Sequence, residues 1–183
     1  DYTLVNENTL FRIFSATKLI TTTAIFQLIQ QGDLHLEDAV SKYLNNLPKH
    51  WGKVQIKNLL SLSFGLPDFI RYESSLSDEA LMAKLSEDDM EFDTLSQFRY
   101  NQTNYFLLAQ VIDKITKMPF HDYVLQTQFS DASNPLFFSS ISQHTIPIRS
   151  TPSFFNSCPI TFHNPSYHDV PIPHSRYVLL ITL

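Results

Sequence analysis

Glycine is scarce in this chain. Its 183 residues include only Gly32, Gly52 and Gly65, with none among the 118 positions that follow Gly65. Average usage of about 7% would place roughly eight there, so turns in that stretch must form on residues that resist a left-handed backbone. Cysteine is scarcer still. Cys158 stands alone, which excludes an internal disulfide and a cysteine-built zinc site. Thirteen Lys and Arg face eighteen Asp and Glu, a net charge of -5, and that balance gives no case for a nucleic-acid partner. No apolar run approaches the roughly 20 residues that cross a bilayer. The first residues lack the basic-then-apolar pattern of a signal peptide, so an exported form would carry its leader outside this sequence. What remains is ordinary globular material, 43% hydrophobic and 17% charged, enough for a domain with a sizeable core.

The rest of the chain is arranged around Phe11 to Leu36, which holds the Ser-x-x-Lys tetrad Ser15-Ala16-Thr17-Lys18. Ile20, Ala24, Ile25, Leu28 and Ile29 recur at helical spacing and Gly32 sits where a helix would stop, so the segment reads as a buried amphipathic helix. Ser15 then falls in its first turn, with Lys18 on the same face at i+3. A serine hydroxyl is a poor nucleophile alone. A lysine whose charge is disfavoured by burial can take its proton, and a helix N-terminus favours the negative charge that develops beside it. The plain alternative is a capping serine and a surface lysine, and ordinary composition supplies about one chance tetrad in a chain this long.

The surroundings of the tetrad carry more weight. Phe11-Arg12-Ile13-Phe14-Ser15-Ala16-Thr17-Lys18 is followed by Gln31-Gly32-Asp33-Leu34-His35-Leu36-Glu37-Asp38-Ala39-Val40-Ser41-Lys42-Tyr43-Leu44. Together they resemble the serine β-lactamase and penicillin-binding-protein family, in particular its class C-like branch with DD-carboxypeptidases and esterases. Ser61-Leu62-Ser63-Phe64-Gly65-Leu66-Pro67 resembles that family's Ser-His-Thr-Ser-Gly-Leu-Pro, keeping the turn and replacing the polar His and Ser by Leu62 and Phe64. Tyr100-Asn101-Gln102-Thr103-Asn104-Tyr105 resembles Tyr-Ser-Asn-Thr-Asn-Tyr, which aligns Tyr100 with the catalytic tyrosine and puts the longer amide of Gln102 where asparagine is usual. Lys117-Met118-Pro119-Phe120 matches a Gly-Lys-Pro-Phe turn. The resemblance runs from about Leu10 to Gln128.

It implies that Ser15 is the nucleophile, that the Tyr100 hydroxyl lies near it as a proton carrier, and that Gln102 touches Lys18 or a substrate amide. Whether Lys18 or Tyr100 is the base stays open. Further helices are expected at Val54 to Leu62, at Asp78 to Leu85 with Ser77 as N-cap, after Asn104, and at Phe120 to Gln128, with Glu87-Asp88-Asp89 as a solvated loop. From Phe129 onward lie seven of the ten prolines and no lysine or glutamate, and neither a helical nor a strand period can be sustained. Ser130-Asp131-Ala132 lacks the amide of a Ser-Asp-Asn motif. His144, His163, His168 and His174 lie in Pro/Ser-rich sequence without the pattern of a metal site.

The expected fold class is α+β, a β-lactamase/transpeptidase-like helical cluster on an antiparallel sheet that is incomplete here. Residues 1–128 form the helical part and 129–183 a Ser/Pro/Phe-rich tail outside the resemblance. The family's third landmark, a Lys-Thr-Gly or His-x-Gly strand, needs a glycine that no position after Gly65 supplies. Losing one oxyanion donor costs about 100- to 1000-fold in turnover. The implied function is serine acyl transfer: Ser15 takes the acyl group of a β-lactam, a D-alanyl peptide or an ester, and the acyl-enzyme is hydrolysed, with no metal or organic cofactor. The implied partner is a small-molecule or peptide substrate, and the implied location is periplasmic or secreted. The alternative is a catalytically inactive, truncated relative acting at most as a binding module.

Overall fold

The computed structural model describes residues 10–72, 76–92, 97–130, 137–139 and 178–182. Helix α1 spans Thr17–Gln31, α2 Ile56–Ser61, α3 Asp78–Glu87, α4 Thr103–Thr116 and α5 Phe120–Gln128. Among the described residues, three short strands, β1 (Leu10–Arg12), β2 (Phe137–Ser139) and β3 (Val178–Thr182), form an antiparallel sheet in the order β1-β3-β2. Leu10 pairs with Thr182 and Phe137 with Leu180. Two of these strands lie beyond Phe129, where the sequence shows no period. With three residues β2 is too short to display one, and the five of β3 include the continuous apolar run Val178-Leu179-Leu180-Ile181 rather than an alternation.

Helix α1 ends as its sequence predicts. Gly32 adopts φ 84, and the N–H groups of Gly32 and Asp33 donate to Ile29 O and Leu28 O over 3.0 Å each, a left-handed cap that glycine takes without a Cβ penalty. Ala24, Ile25 and Leu28 are buried on its inner side, whereas Leu19 and Phe26 stand 72% and 50% exposed on the other. The helix is therefore apolar on both sides. At its start the prediction shifts by a turn: Ser15 belongs to a 3-10 turn, Phe14–Ala16, that precedes α1.

Helix α4 is the centre of the core, packing against α1, α2 and α5. Its Leu107, Leu108, Val111 and Ile112 are buried together with Ile25 and Leu28 of α1 and Leu59 of α2. Burying each such side chain fully is worth about 1.5–3 kcal/mol. Before Pro48 the chain makes a single 3-10 turn at Val40–Lys42, followed by another at Lys49–Trp51. Asp38 holds this region by accepting from Tyr43 Oη at 2.5 Å, Lys42 Nζ at 3.0 Å and the His35 N–H at 2.9 Å. These contacts, the Tyr43 hydroxyl first, bring its carboxyl down to about 2.

Ser77 caps α3 as expected, accepting from the Ala80 N–H at 3.1 Å. The acidic stretch after it is not simply solvated. Asp88 is half-buried, accepts from Tyr72 Oη at 2.7 Å and pairs with Arg71 at 3.7 Å. The turn at Ser61 also keeps polar contacts, since the Ser61 and Ser63 hydroxyls lie 2.7 Å apart.

Candidate active site

Two segments distant in sequence meet at one place. The first is the 3-10 turn into α1, where Phe14 takes φ 44 immediately before Ser15. A bulky residue there is held by its surroundings against local preference. The second is the loop that enters α4, and it is pinned by buried polar groups. Asn101 is 1% exposed, donates its amide to Leu66 O and accepts at Oδ1 from the N–H groups of Thr103 (2.7 Å) and Asn104 (3.4 Å). That single side chain caps α4 and ties it to the Gly-Leu-Pro turn. Thr103 adds a hydroxyl bond to Pro67 O at 2.7 Å and accepts from the Phe69 N–H at 3.0 Å. Asp68 Oδ1 receives the Gln102 N–H at 3.2 Å and the Ile70 N–H at 3.3 Å.

The turn itself depends on Gly65. Its φ is 68, and a Cβ there would lie 2.5 Å from Phe92 O, a backbone atom that cannot rotate away. The Gly65 carbonyl accepts from the Glu91 N–H at 2.7 Å. No residue but glycine satisfies both demands.

These supports bring the four sequence-derived candidates together. Ser15 Oγ and Tyr100 Oη are 2.5 Å apart, and either can donate. Lys18 Nζ donates to Gln102 Oε1 over 2.6 Å and lies 4.7 Å from the centre of the Tyr100 ring. The i+3 spacing suggests a direct Ser15–Lys18 contact. Instead, the Ser15 hydroxyl is met by Tyr100, and Lys18 reaches it through the tyrosine. Gln102 meets Lys18, which its extra methylene permits.

Partial burial pushes the Tyr100 phenol up, but the contacts with Lys18, Ser15 and Gln102 and the charge of Lys18 outweigh this and bring it below 10.0. An ammonium over a ring face and a short hydrogen bond to a hydroxyl both favour the phenolate. A serine hydroxyl facing such a phenolate can lose its proton as it attacks. Sequence reasoning missed Asn101, Asp68 and Thr103. An Asx residue just ahead of an apolar helical run is a cap signal, and Asn101 carries it. Among the described residues no group of His, Cys, Asp and Glu could hold a metal ion. His144, His163, His168 and His174, together with most of the segment after Ser130, lie outside the described residues.

A family model described as β-lactamase matches residues 1–132. The chain belongs to the serine β-lactamase and penicillin-binding-protein family. Protein flp of Staphylococcus aureus (strain COL) is 30% identical over a 125-residue alignment that covers 63% of this chain and 25% of that protein. The chain thus spans about a quarter of that relative's length. The penicillin-binding protein from Bacillus halodurans superposes with a TM-score of 0.72 at 22% identity, covering 97% of this chain and 56% of the other. At that identity the likeness speaks to fold alone, and the fold is the β-lactamase/transpeptidase fold. A D-amino acid amidase from Ochrobactrum anthropi SV3 gives a TM-score of 0.59 at 26% identity, over 69% of this chain and 36% of its own. Membership places the chain in the serine hydrolase superfamily. Among the described residues no helix is long and apolar enough to cross a membrane.

Proposed function

We propose that this chain is a serine acyl-transferase of the hydrolytic kind, with Ser15 as nucleophile and Tyr100 as the group that carries its proton. The observation behind this is the 2.5 Å contact between the two hydroxyl oxygens, with the Lys18 ammonium 4.7 Å from the tyrosine ring. Ser15 Oγ adds to the carbonyl carbon of a β-lactam, a D-alanyl peptide or an ester while its proton passes to Tyr100 Oη. The N–H of Ser15, at the head of the turn into α1, donates to the oxyanion. As the tetrahedral adduct collapses, the leaving amine or alkoxide takes the proton back from Tyr100 and the acyl ester on Ser15 remains. Water then adds to that ester, giving its proton to Tyr100 and returning Ser15 with it. Lys18, held by Gln102, stays beside the Tyr100 ring throughout. This assigns the base to Tyr100 and electrostatic support to Lys18. A periplasmic or secreted location, where such substrates are met, accompanies this reading.

One observation favours a second reading, a relative that binds without efficient turnover and whose sheet is incomplete: no residue after Gly65 is glycine, so the usual Lys-Thr-Gly or His-x-Gly strand is not in this chain. Treating the purified protein with a fluorescent penicillin or a fluorophosphonate and mapping the labelled peptide separates the two. The acyl-transfer reading expects label on Ser15 and none in Ser15→Ala, together with measurable release of a chromogenic product. Label on Ser15 without release supports the binding relative. Label on another serine, undiminished in Ser15→Ala, overturns both.

A further inference from the structure

Lys18 has an unusual set of neighbours for a cation. Among the described residues no carboxylate pairs with it. It donates to the neutral amide of Gln102 over 2.6 Å, and its nitrogen stands over two tyrosine rings, Tyr100 at 4.7 Å and Tyr105 at 5.3 Å. The long, flexible stem of a lysine has many rotamers to lose. Hydrogen bonds to neutral partners offer little against that entropy.

The second ring is better fixed than the first. Tyr105 sits in the first turn of α4, half-buried, with Phe106 and Leu108 buried close by in the same helix. Its hydroxyl lies 3.3 Å from Thr22 Oγ1 of α1 and donates to Leu60 O of α2 over 3.4 Å. It therefore spans three helices. Thr22 is also one turn along α1 from Lys18, so the tyrosine crosses the very segment from which Lys18 projects.

We propose that Tyr105 is a positioning residue: its ring face holds the Lys18 ammonium over Tyr100, so that the cation acts on the phenol that meets Ser15. The inference rests on the acyl-transfer reading for its consequence but not for its geometry. Facing Tyr100 are Lys18 from α1, Ser15 from the turn before it and Gln102 from the same loop. If Tyr105 releases Lys18, the contact that lowers the Tyr100 phenol weakens while burial continues to raise it. The ring face makes the contact with Lys18, and the hydroxyl only anchors the ring to Thr22 and Leu60. Tyr105→Phe keeps the aromatic face, Tyr105→Leu removes it, and fluorinated phenylalanines at position 105 keep the shape while draining the ring of negative potential.

The test is the titration of Tyr100 in the whole chain, followed by NMR with carbon-labelled tyrosine and assigned through Tyr100→Phe. Tyr105→Leu should raise its midpoint by about half a pH unit or more, Tyr105→Phe should leave it near the wild-type value, and successive ring fluorination should raise it stepwise. Should the leucine variant fail to fold, the fluorinated series alone decides, because its packing is conserved. A midpoint that fluorination leaves unmoved overturns the inference. Ser15 labelling, read in parallel, is expected to slow about threefold or more with the leucine variant, following the same free-energy change. If Ser15 takes no label at all yet the Tyr100 midpoint follows the fluorine series, the acyl-transfer reading fails and the positioning role of Tyr105 stands.

Discussion

The two ends of α4 solve the same problem in opposite ways. At the N-terminal end the backbone is tied down by Asn101, Thr103 and Asp68, and the neighbouring turn uses glycine where φ reaches 68 beside the Phe92 backbone. At the C-terminal end Lys117 takes φ 58 with a full side chain, where the related turn has glycine. Beside it the Asp113 carboxyl receives the Phe120 N–H, and burial, opposed by that bond and helped by Asp78, raises it to about 6. One end is held by buried polar contacts and the other carries strain and a raised carboxyl. Left-handed strain on a non-glycine residue is not confined to that end, since Phe14 takes φ 44 beside Ser15, so what separates the two ends of α4 is the polar anchoring of the first.

Gly65→Ala should break the ordered end. Left-handed strain and a Cβ 2.5 Å from Phe92 O together cost about 2–4 kcal/mol. Urea unfolding would register this as a lower midpoint with unchanged slope, and labelling at Ser15 should slow as the loop shifts. Alanine accepted without loss would mean that the Gly-Leu-Pro turn does not support the site.

Asp113→Asn should relieve the other end. The folded pKa, about 6, lies above the ordinary 3.8, so between about pH 4 and 6 the unfolded chain releases a proton that the folded chain keeps. Stability falls across that window and the full penalty persists above it. Asparagine keeps an acceptor for the Phe120 N–H and carries no charge. Its gain should reach at most about 2 kcal/mol above pH 7 after allowance for partial exposure, and vanish below pH 4. Thermal melts across pH 4–8 would show the two curves converging on the acid side. Asp38 works in the other direction: with its folded pKa depressed to about 2, the stability it contributes is present above about pH 4 and lost as pH falls through 2.

Lys117→Gly has the smallest expected effect, a gain of no more than about 1 kcal/mol, because relief of left-handed strain is offset by the greater freedom of glycine in the unfolded chain. A loss on the same melt assay would show that the lysine side chain contributes more than its backbone costs.

Helix spacing made the nearness of Ser15 and Lys18 legible, and the family resemblance implied that Tyr100 and Gln102 join them. Helix spacing alone pointed to Lys18 as the neighbour of Ser15, since i+3 shares a face, and it was the resemblance that implied the Tyr100 hydroxyl there, where the structure has it. Tyr105 was legible as a core position and no more, because its contact with Lys18 depends on where α1 lies. Leu62, at φ 56, and Lys117 were hidden for a plainer reason. Left-handed caps are read from glycine, and these two are not glycine. The raised Asp113 carboxyl comes from burial, which no spacing announces.

The rate of Ser15 labelling as a function of pH, measured for the wild-type chain and for Tyr100→Phe, tests the central claim most directly. The account predicts a wild-type rate that rises with the deprotonation of Tyr100, at a midpoint below 10.0, and a loss of about 100-fold or more in Tyr100→Phe. A phenylalanine variant that labels at the wild-type rate with the same pH profile would contradict it, and the proton would then have to leave Ser15 by way of Lys18.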